Sequence, residues 1–321
     1  MREISGLLFG LLVALTVGSS AAQTSYPEKT VRMVVGFLPG TPSDTCARLL
    51  GQRFAEAWGK PVVIDNVTGA TGNIAADRVA KAAPDGYTLG IFANPFVINP
   101  SLYKLAHDPV KDFAPVSQVA VSPLILVVNN AVLAKDVQEL IKLVSVRPGE
   151  LTFASAGSGS AAHMAAELFK SVAGLDIRHI PYQGAPAAMP DLLGGRITMM
   201  FSATTVVLPL AREGKLRALA VTTLRRSSAA PDLPTIAESG YPGFEVTLWQ
   251  GFLAPARTPP TIVGKLHLET VKSLALPELR GKFTDLGMEG IGNSPEEFAT
   301  VIKSEIPRWA KVIKEAGIKL D

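Results

Sequence analysis

Apolar positions along the chain alternate between short β-branched runs and segments in which they recur every three or four residues. V-R-M-V-V-G-F (31–37) reads as a strand from its β-branched content. F-L-P-G-T-P-S-D (37–44) is a turn in which Asp44 is placed to cap the helix that follows. Ala47, Leu50, Phe54 and Trp58 then give that helix one apolar face. The cycle repeats: strand P-V-V-I-D (61–65), loop V-T-G-A-T-G-N (67–73), a helix around I-A-A-D-R-V-A-K-A-A, turn P-D-G-Y (84–87), strand Y-T-L-G-I-F (87–92) and exit loop A-N-P-F (93–96).

A second series follows the same rhythm. Helix 136–146 leads to strand L-T-F-A-S, loop S-A-G-S-G-S-A-A-H (155–163) and helix 161–173. Strand 177–182, helix 186–193, strand 197–201, a helix near 204–213 and strand L-R-A-L-A-V-T complete it. Such alternation predicts parallel sheets covered on both faces. Two long β-type runs, 116–128 and 244–255, bracket the second series, so the chain is expected to cross between two domains twice. The terminal segments would build one domain and the middle the other, hinged around a cleft. The last stretch is helical, and Ser294 with Glu297 makes a capping box.

Composition narrows the class. The chain has 321 residues, 47% hydrophobic and 18% charged, with a net charge of +3. Its basic residues are scattered, and Arg225-Arg226 is the only adjacent pair, which argues against nucleic acid as a partner. The first stretch pairs Arg2 with an apolar run and ends in small residues before Gln23, the pattern of a secretory signal cleaved after Ala22. The run is short for a membrane span, which needs about 20 apolar residues. Cys46 is the sole cysteine, so no internal disulfide forms; it falls at a helix start, where a thiol can be activated, but its expected role is that of a small buried residue.

Catalytic patterns are weak. A nucleophile elbow needs Gly-x-Ser-x-Gly, yet Ser158 is flanked by Ala156 and Ser160, and Ser160 by Ser158 and Ala162. His163 follows Ser160 by three residues, and no carboxylate partner is assignable to any of the four histidines. His163 and Glu167 have the spacing of two metal ligands but no third, so no metal site and no cofactor is expected. Neither a dinucleotide nor a Walker-type loop is present.

Three loops remain, at 36–44, 67–73 and 155–163. Each leaves a strand, opens a helix and is rich in Gly, Ser, Thr or Asn, and none contains Lys or Arg. Glycines admit close approach of a guest, helix N-termini offer free N–H groups, and hydroxyls supply orientable donors. Ligands of open α/β sheets lie beyond the carboxyl ends of the strands. The combination predicts a small anion held by neutral donors. A carboxylate fits better than a phosphate, which would usually recruit Arg or Lys.

At these residues the sequence resembles the Bug-type extracytoplasmic solute receptors of tripartite tricarboxylate transporters. The likeness runs through Y-P-E-K-T-V-R-M-V-V (26–35), P-V-V-I-D-N-V-T-G-A-T-G-N-I-A-A-D (61–77), A-K-A-A-P-D-G-Y-T-L (80–89), I-N-P-S-L-Y (98–103), A-S-A-G-S-G-S-A-A-H (154–163), I-P-Y-Q-G (180–184) and L-P-T-I-A-E-S-G-Y-P-G-F-E-V (233–246). It implies an α/β, type II periplasmic-binding-protein fold: two domains joined by two β-type crossover segments, with the ligand between them. Residues 1–22 would be the signal peptide, 23–122 with 249–321 the first domain, and 123–248 the second. It also implies that the protein is not an enzyme but a monomeric periplasmic receptor, delivering a small organic carboxylate to integral-membrane transporter subunits.

Carried over by motif, the ligand residues would be Phe37, Gly40, Thr41, Ser43 and Asp44 in the first loop, and Gly69, Ala70, Thr71, Gly72 and Asn73 in the second. Ser155, Gly157, Ser158, Gly159, Ser160 and His163 form the third. Tyr182, Gln183, Gly184 and Ala185 match the family's Pro-Tyr-x-Gly segment, and Asn94 and Ser202 complete the set. Three departures bear on the guest. Thr41 and Pro42 stand where the family has glycines, and a proline removes one donor. Ser202 replaces an Asp, which argues against an amino-acid ligand and for a non-amino mono- or dicarboxylate, aromatic or aliphatic. Asn94 and Phe96 enlarge a position that is often small; Phe96 would either line the site or pack in the core. Two other readings stay open: an exported serine hydrolase using Ser158 or Ser160 with His163, and a carboxylate sensor with no transport role.

Overall fold

A computed structural model describes residues 26–318; the signal-peptide expectation lies outside the described residues. The first series forms β1 (Val31–Val35), α1 (Pro42–Trp58), β2 (Val62–Asn66), α2 (Asn73–Ala80), β3 (Thr88–Ala93) and the short α3 (Pro95–Ile98). β4 (Phe113–Asn129) is the first crossing. The second series is α4 (Val137–Ser145), β5 (Thr152–Ser155), α5 (Ala161–Ala173), β6 (Arg178–Pro181), α6 (Ala185–Leu193), β7 (Met199–Ala203), α7 (Thr204–Arg212) and β8 (Leu216–Val221). β9 (Thr247–Pro255) returns, followed by α8 (Pro260–Ala275), α9 (Pro277–Asp285), β10 (Glu289–Gly290) and α10 (Pro295–Glu315).

The strands pair in the order β2-β1-β3-β9-β4-β7-β5-β6, with β8 and β10 also pairing β4. β1 is parallel to β2 and β3, and β5 is parallel to β6 and β7, as the alternation predicts. The sheets are not wholly parallel, however. β9 is antiparallel to β3 and β4, and β4 is antiparallel to β7 and β8. A chain that leaves along one crossing strand must return along another in the opposite sense, which places an antiparallel pair at the centre. β4 pairs with β9 from Phe113 to Pro123, then takes β7 and β8 as partners from Leu124 and Ile125 onward.

Packing follows the two faces. On one face α10 inserts Phe298, Ile302 and Trp309 into a core shared by both halves, with Phe92, Phe96, Phe153, Phe201 and Trp249. Each fully buried aromatic of this kind contributes roughly 1.5–3 kcal/mol. Phe96 packs in the core, stacking on Phe92 with centroids 5.3 Å apart and meeting Phe113 edge-on at 4.9 Å, and it also lines a small cavity with Phe37, Thr71, Gly72 and Asn73. On the other face α1 and α9 bury Cys46, Leu50, Phe54, Leu279 and Phe283 in the first half, while α6 and α7 bury Ala188, Leu192 and Val207 in the second. Burial pushes the Cys46 thiol up to about 12, so it is an inert packing residue. The capping box at α10 forms, with Glu297 N–H donating to Ser294 Oγ at 3.2 Å and Ser294 N–H to Glu297 Oε2 at 2.8 Å. Among the described residues no helix is long and apolar enough to cross a membrane.

Candidate functional site

Strand directions decide where the loops go. β4 runs parallel to β3, because each is antiparallel to β9. It then enters the second half, where β7 and β8 run against it and β5 and β6 follow β7. The carboxyl ends of β1–β3 therefore face those of β5–β8 across the crossing strands. The three loops singled out in the sequence, and the Tyr182–Ala185 segment, lie on these facing edges.

The first loop is held by its acid. Asp44 is not the N-cap of α1 that the sequence suggested; Thr41 is the N-cap, Pro42 is the first helical residue, and Asp44 lies within the first turn. Its buried carboxylate reaches back to the Gly40 N–H at 2.9 Å and accepts from Arg48 Nε and Asn66 Nδ2, both at 2.9 Å. Asn66 also donates to the Phe37 carbonyl at 2.9 Å. Burial pushes the pKa of Asp44 up, but the hydrogen bonds from Arg48, Gly40 and Asn66 outweigh it and hold the group below its ordinary value. Ser43 donates to Gln250 Oε1 at 2.6 Å, and Thr41 Oγ1 to the Leu38 carbonyl at 2.8 Å. The polar side chains of this loop are thus turned inward, toward the protein.

The second loop is a tight turn, Ala70–Gly72, in which Ala70 (φ 47°) and Thr71 (φ 53°) are both left-handed. Non-glycine residues in that region cost about 1 kcal/mol or more each and persist where surroundings hold them. Asn99 supplies the hold: its Nδ2 donates to Asn73 Oδ1 at 2.8 Å and lies 3.5 Å from the Thr71 carbonyl. Asn94, also fully buried, donates to the Thr247 carbonyl at 2.9 Å and accepts from the Trp249 N–H at 3.0 Å. It stitches β3 to the returning strand through both ends of its amide.

In the third loop Ser160 is the N-cap of α5, accepting from the His163 N–H at 3.2 Å. His163 Nδ1 accepts from the Gly159 N–H at 3.1 Å, so its proton resides on Nε2, 3.7 Å from Glu167 Oε1. Burial, then the neighbouring His179 and Lys170, lower the pKa of His163 to about 3. Neutral at physiological pH, it can accept that N–H. Ser155 is fully buried; its Oγ lies 2.7 Å from His179 Nε2 and bonds the Gly157 carbonyl at 3.1 Å. Neither Ser158 nor Ser160 is hydrogen-bonded to the His163 ring, and the serine that does meet a histidine is sealed from any guest. Gly159 has φ 79°, and a Cβ there would lie 2.9 Å from Asn99 Oδ1, so the third loop packs directly on the segment bracing the second.

The remaining candidates join this edge. Tyr182 N–H donates to the Ser155 carbonyl at 3.1 Å, which places Gln183, Gly184 and Ala185 beside the third loop, with Gln183 exposed. The Tyr182 hydroxyl points elsewhere, to Asp191 Oδ2 at 2.6 Å. Ser202, on β7, is buried and its Oγ has no partner among the described residues.

What faces the gap is largely backbone. α1, α2, α6 and α7 all begin on these edges, and none has a side chain capping its first turn. α5, on the same edge, is capped by Ser160, and α4 and α10 by Asp136 and Ser294, while α8 and α9 are uncapped as well. An uncapped start leaves N–H donors and the positive end of the helix dipole to an external acceptor. Sequence patterning missed Asn66, Asn99 and Gln250, which position the loops. They lie in or next to strands without any periodic signal, and only their partners far along the chain reveal them.

The comparisons agree with this geometry. A family model described as "Tripartite tricarboxylate transporter family receptor" matches residues 46–318. A protein of R. palustris solved with adipate is 38% identical, covering 92% of this chain and 99% of its own, with a TM-score of 0.87. The periplasmic binding protein BugD is 37% identical over 92% of this chain and 99% of its own, with a TM-score of 0.84. MatC from Rhodopseudomonas palustris, solved with bound malate, is 35% identical over 90% of this chain and all of its own (100%), with a TM-score of 0.83. The fold is that of a two-domain periplasmic binding protein, and the chain belongs to the tripartite tricarboxylate transporter receptor family.

Proposed function

We propose that this protein captures a small, non-amino organic carboxylate between its two lobes, closes on it, and hands it to integral-membrane transporter subunits. The observation that carries the reading is the set of four uncapped helix starts on facing edges, served by loops without a single Lys or Arg. Neutral N–H groups and hydroxyls suit a carboxylate, whose charge the helix ends offset. Structures of similar proteins carry adipate and malate, which are both carboxylates without an amino group. Ser202, where an acid would favour an ammonium group, fits the same class.

In this reading residues 23–122 with 249–321 form one lobe and 123–248 the other, with bending at the two crossing strands. Export by a signal cleaved after Ala22 delivers a monomer to the periplasm. The mature protein, purified and then denatured, should release a near-equimolar small acid identifiable by mass spectrometry. A protein that releases no acid, and whose melting temperature no carboxylate raises, would exclude the assignment.

A further inference from the structure

The crossing strands floor a cavity of about 170 Å³. Val121 to Pro123 of β4 form the floor, residues 223–228 after β8 form one wall, and residues 287–289 before β10 form the other. The walls therefore come from different halves of the molecule. Its position relative to the helix starts follows from register. Gln250, which accepts from Ser43 at the start of α1, pairs with Ala120, two residues from Ser122 in the cavity floor. On the far side Thr204, the first residue of α7, donates to the Pro123 carbonyl at 3.1 Å and packs on Gly287 so closely that no Cβ would fit there. The cavity floor thus lies next to residues that meet the starts of α1 and α7.

Its charge differs from that of the loops. Arg226 is engaged by Glu238 Oε2 at 2.9 Å, but the guanidinium of Arg225 has no partner among the described residues. Hydroxyls of Ser122, Thr223 and Thr247 also line the space. We infer that this cavity is the subsite for the second carboxylate of a dicarboxylate whose first carboxylate lies at the helix starts, with Arg225 as its counter-charge. The inference rests on the receptor reading above. The geometry makes sense chemically: one carboxylate is carried by helix ends alone, whereas a second, brought into the same closed space, requires a cation. Because the two walls belong to different halves, filling the cavity also favours the closed arrangement. Glu289 is the one acid in the lining and faces the subsite from the opposite wall, which sets an upper limit on its affinity for an anion.

Isothermal titration with matched straight-chain acids tests this: butyrate against succinate, hexanoate against adipate, octanoate against suberate. Wild-type protein should prefer the diacid of at least one pair. Arg225→Ala should weaken that diacid by about tenfold or more while leaving the monoacid within about twofold, since a charge-assisted contact is lost for one guest only. Arg225→Lys should restore part of the loss, and Glu289→Gln should tighten the diacid about two- to threefold at low salt. Arg225 is exposed and unpartnered, so an unchanged melting temperature serves as the folding control. A wild-type preference for monoacids, or equal effects of Arg225→Ala on both members of a pair, overturns the subsite. If the protein releases an acid on denaturation yet binds none of the six, the straight-chain dicarboxylate subsite alone is overturned. No binding and no released acid overturns the receptor reading beneath it.

Discussion

Thr71 Oγ1 donates to the carbonyl of Ser158 across 3.4 Å, joining a loop of the first lobe to a loop of the second. The contact is long for a hydrogen bond, and Thr71 makes it from a left-handed backbone (φ 53°).

Thr71→Val keeps the shape and removes the donor. Ligand affinity measured by titration should fall severalfold, within the about 0.5–1.5 kcal/mol of a typical hydrogen bond, while the melting temperature of the unliganded protein changes little. An unchanged affinity would mean the contact has no part in closure.

Gly159→Ala forces a side chain into a left-handed residue (φ 79°) and to within 2.9 Å of Asn99 Oδ1. The third loop must shift away from the second. Stability should drop by about 1–2 kcal/mol in urea unfolding, from the conformational penalty alone, and ligand binding should weaken with it. Ala at Gly214, where φ is 69° and nothing lies near, should show the conformational penalty without the binding loss.

Asp44→Asn removes the charge that Arg48, Gly40 N–H and Asn66 satisfy together. At pH 7 it should cost about 1–3 kcal/mol, as for other hydrogen bonds to charged groups. Because the folded pKa of Asp44 lies below its ordinary value of 3.8, the wild-type contribution is present above that value and is lost as pH falls through the folded pKa. The stability gap between wild type and variant should therefore narrow in acid, below about pH 4.

His163 is shifted in the same direction, over a higher pH window. Its folded pKa, about 3, lies below the ordinary 6.5, so the unfolded chain takes up the proton first. Wild-type stability should be fully present above pH 6.5 and decline as pH falls from there toward 3. His163→Gln, which retains an acceptor for the Gly159 N–H, should flatten that segment of a melting-temperature profile. An identical slope in the variant would place the titration elsewhere.

The elements were legible because their signals are local. Ala161–Ala173 coincides with the expected helix, and the long runs at 116–128 and 244–255 fall within or around the two crossing strands. The antiparallel centre was not legible, since strand direction depends on where a chain returns rather than on its side-chain period. The loops were visible as Gly- and Ser-rich turns, yet the roles of their side chains were not. Asp44, Ser43, Asn94 and Ser160 hold loop or strand geometry in the structure, through partners such as Gln250 and Thr247 that are remote in sequence. Phe96 could be read either way from its sequence, and the structure gives it both roles, stacked on Phe92, edge-on to Phe113, and lining a cavity beside the second loop.

β4 is one 17-residue strand that belongs to both halves. Side chains on a strand alternate and both faces of β4 are packed, so deleting one residue near its start would exchange the two packed faces along everything beyond. A single lesion would misfit the cores of both halves. A change in the length of the shared strand would thus reach both halves at once, whereas the turns at its ends can gain or lose residues without shifting the register of either.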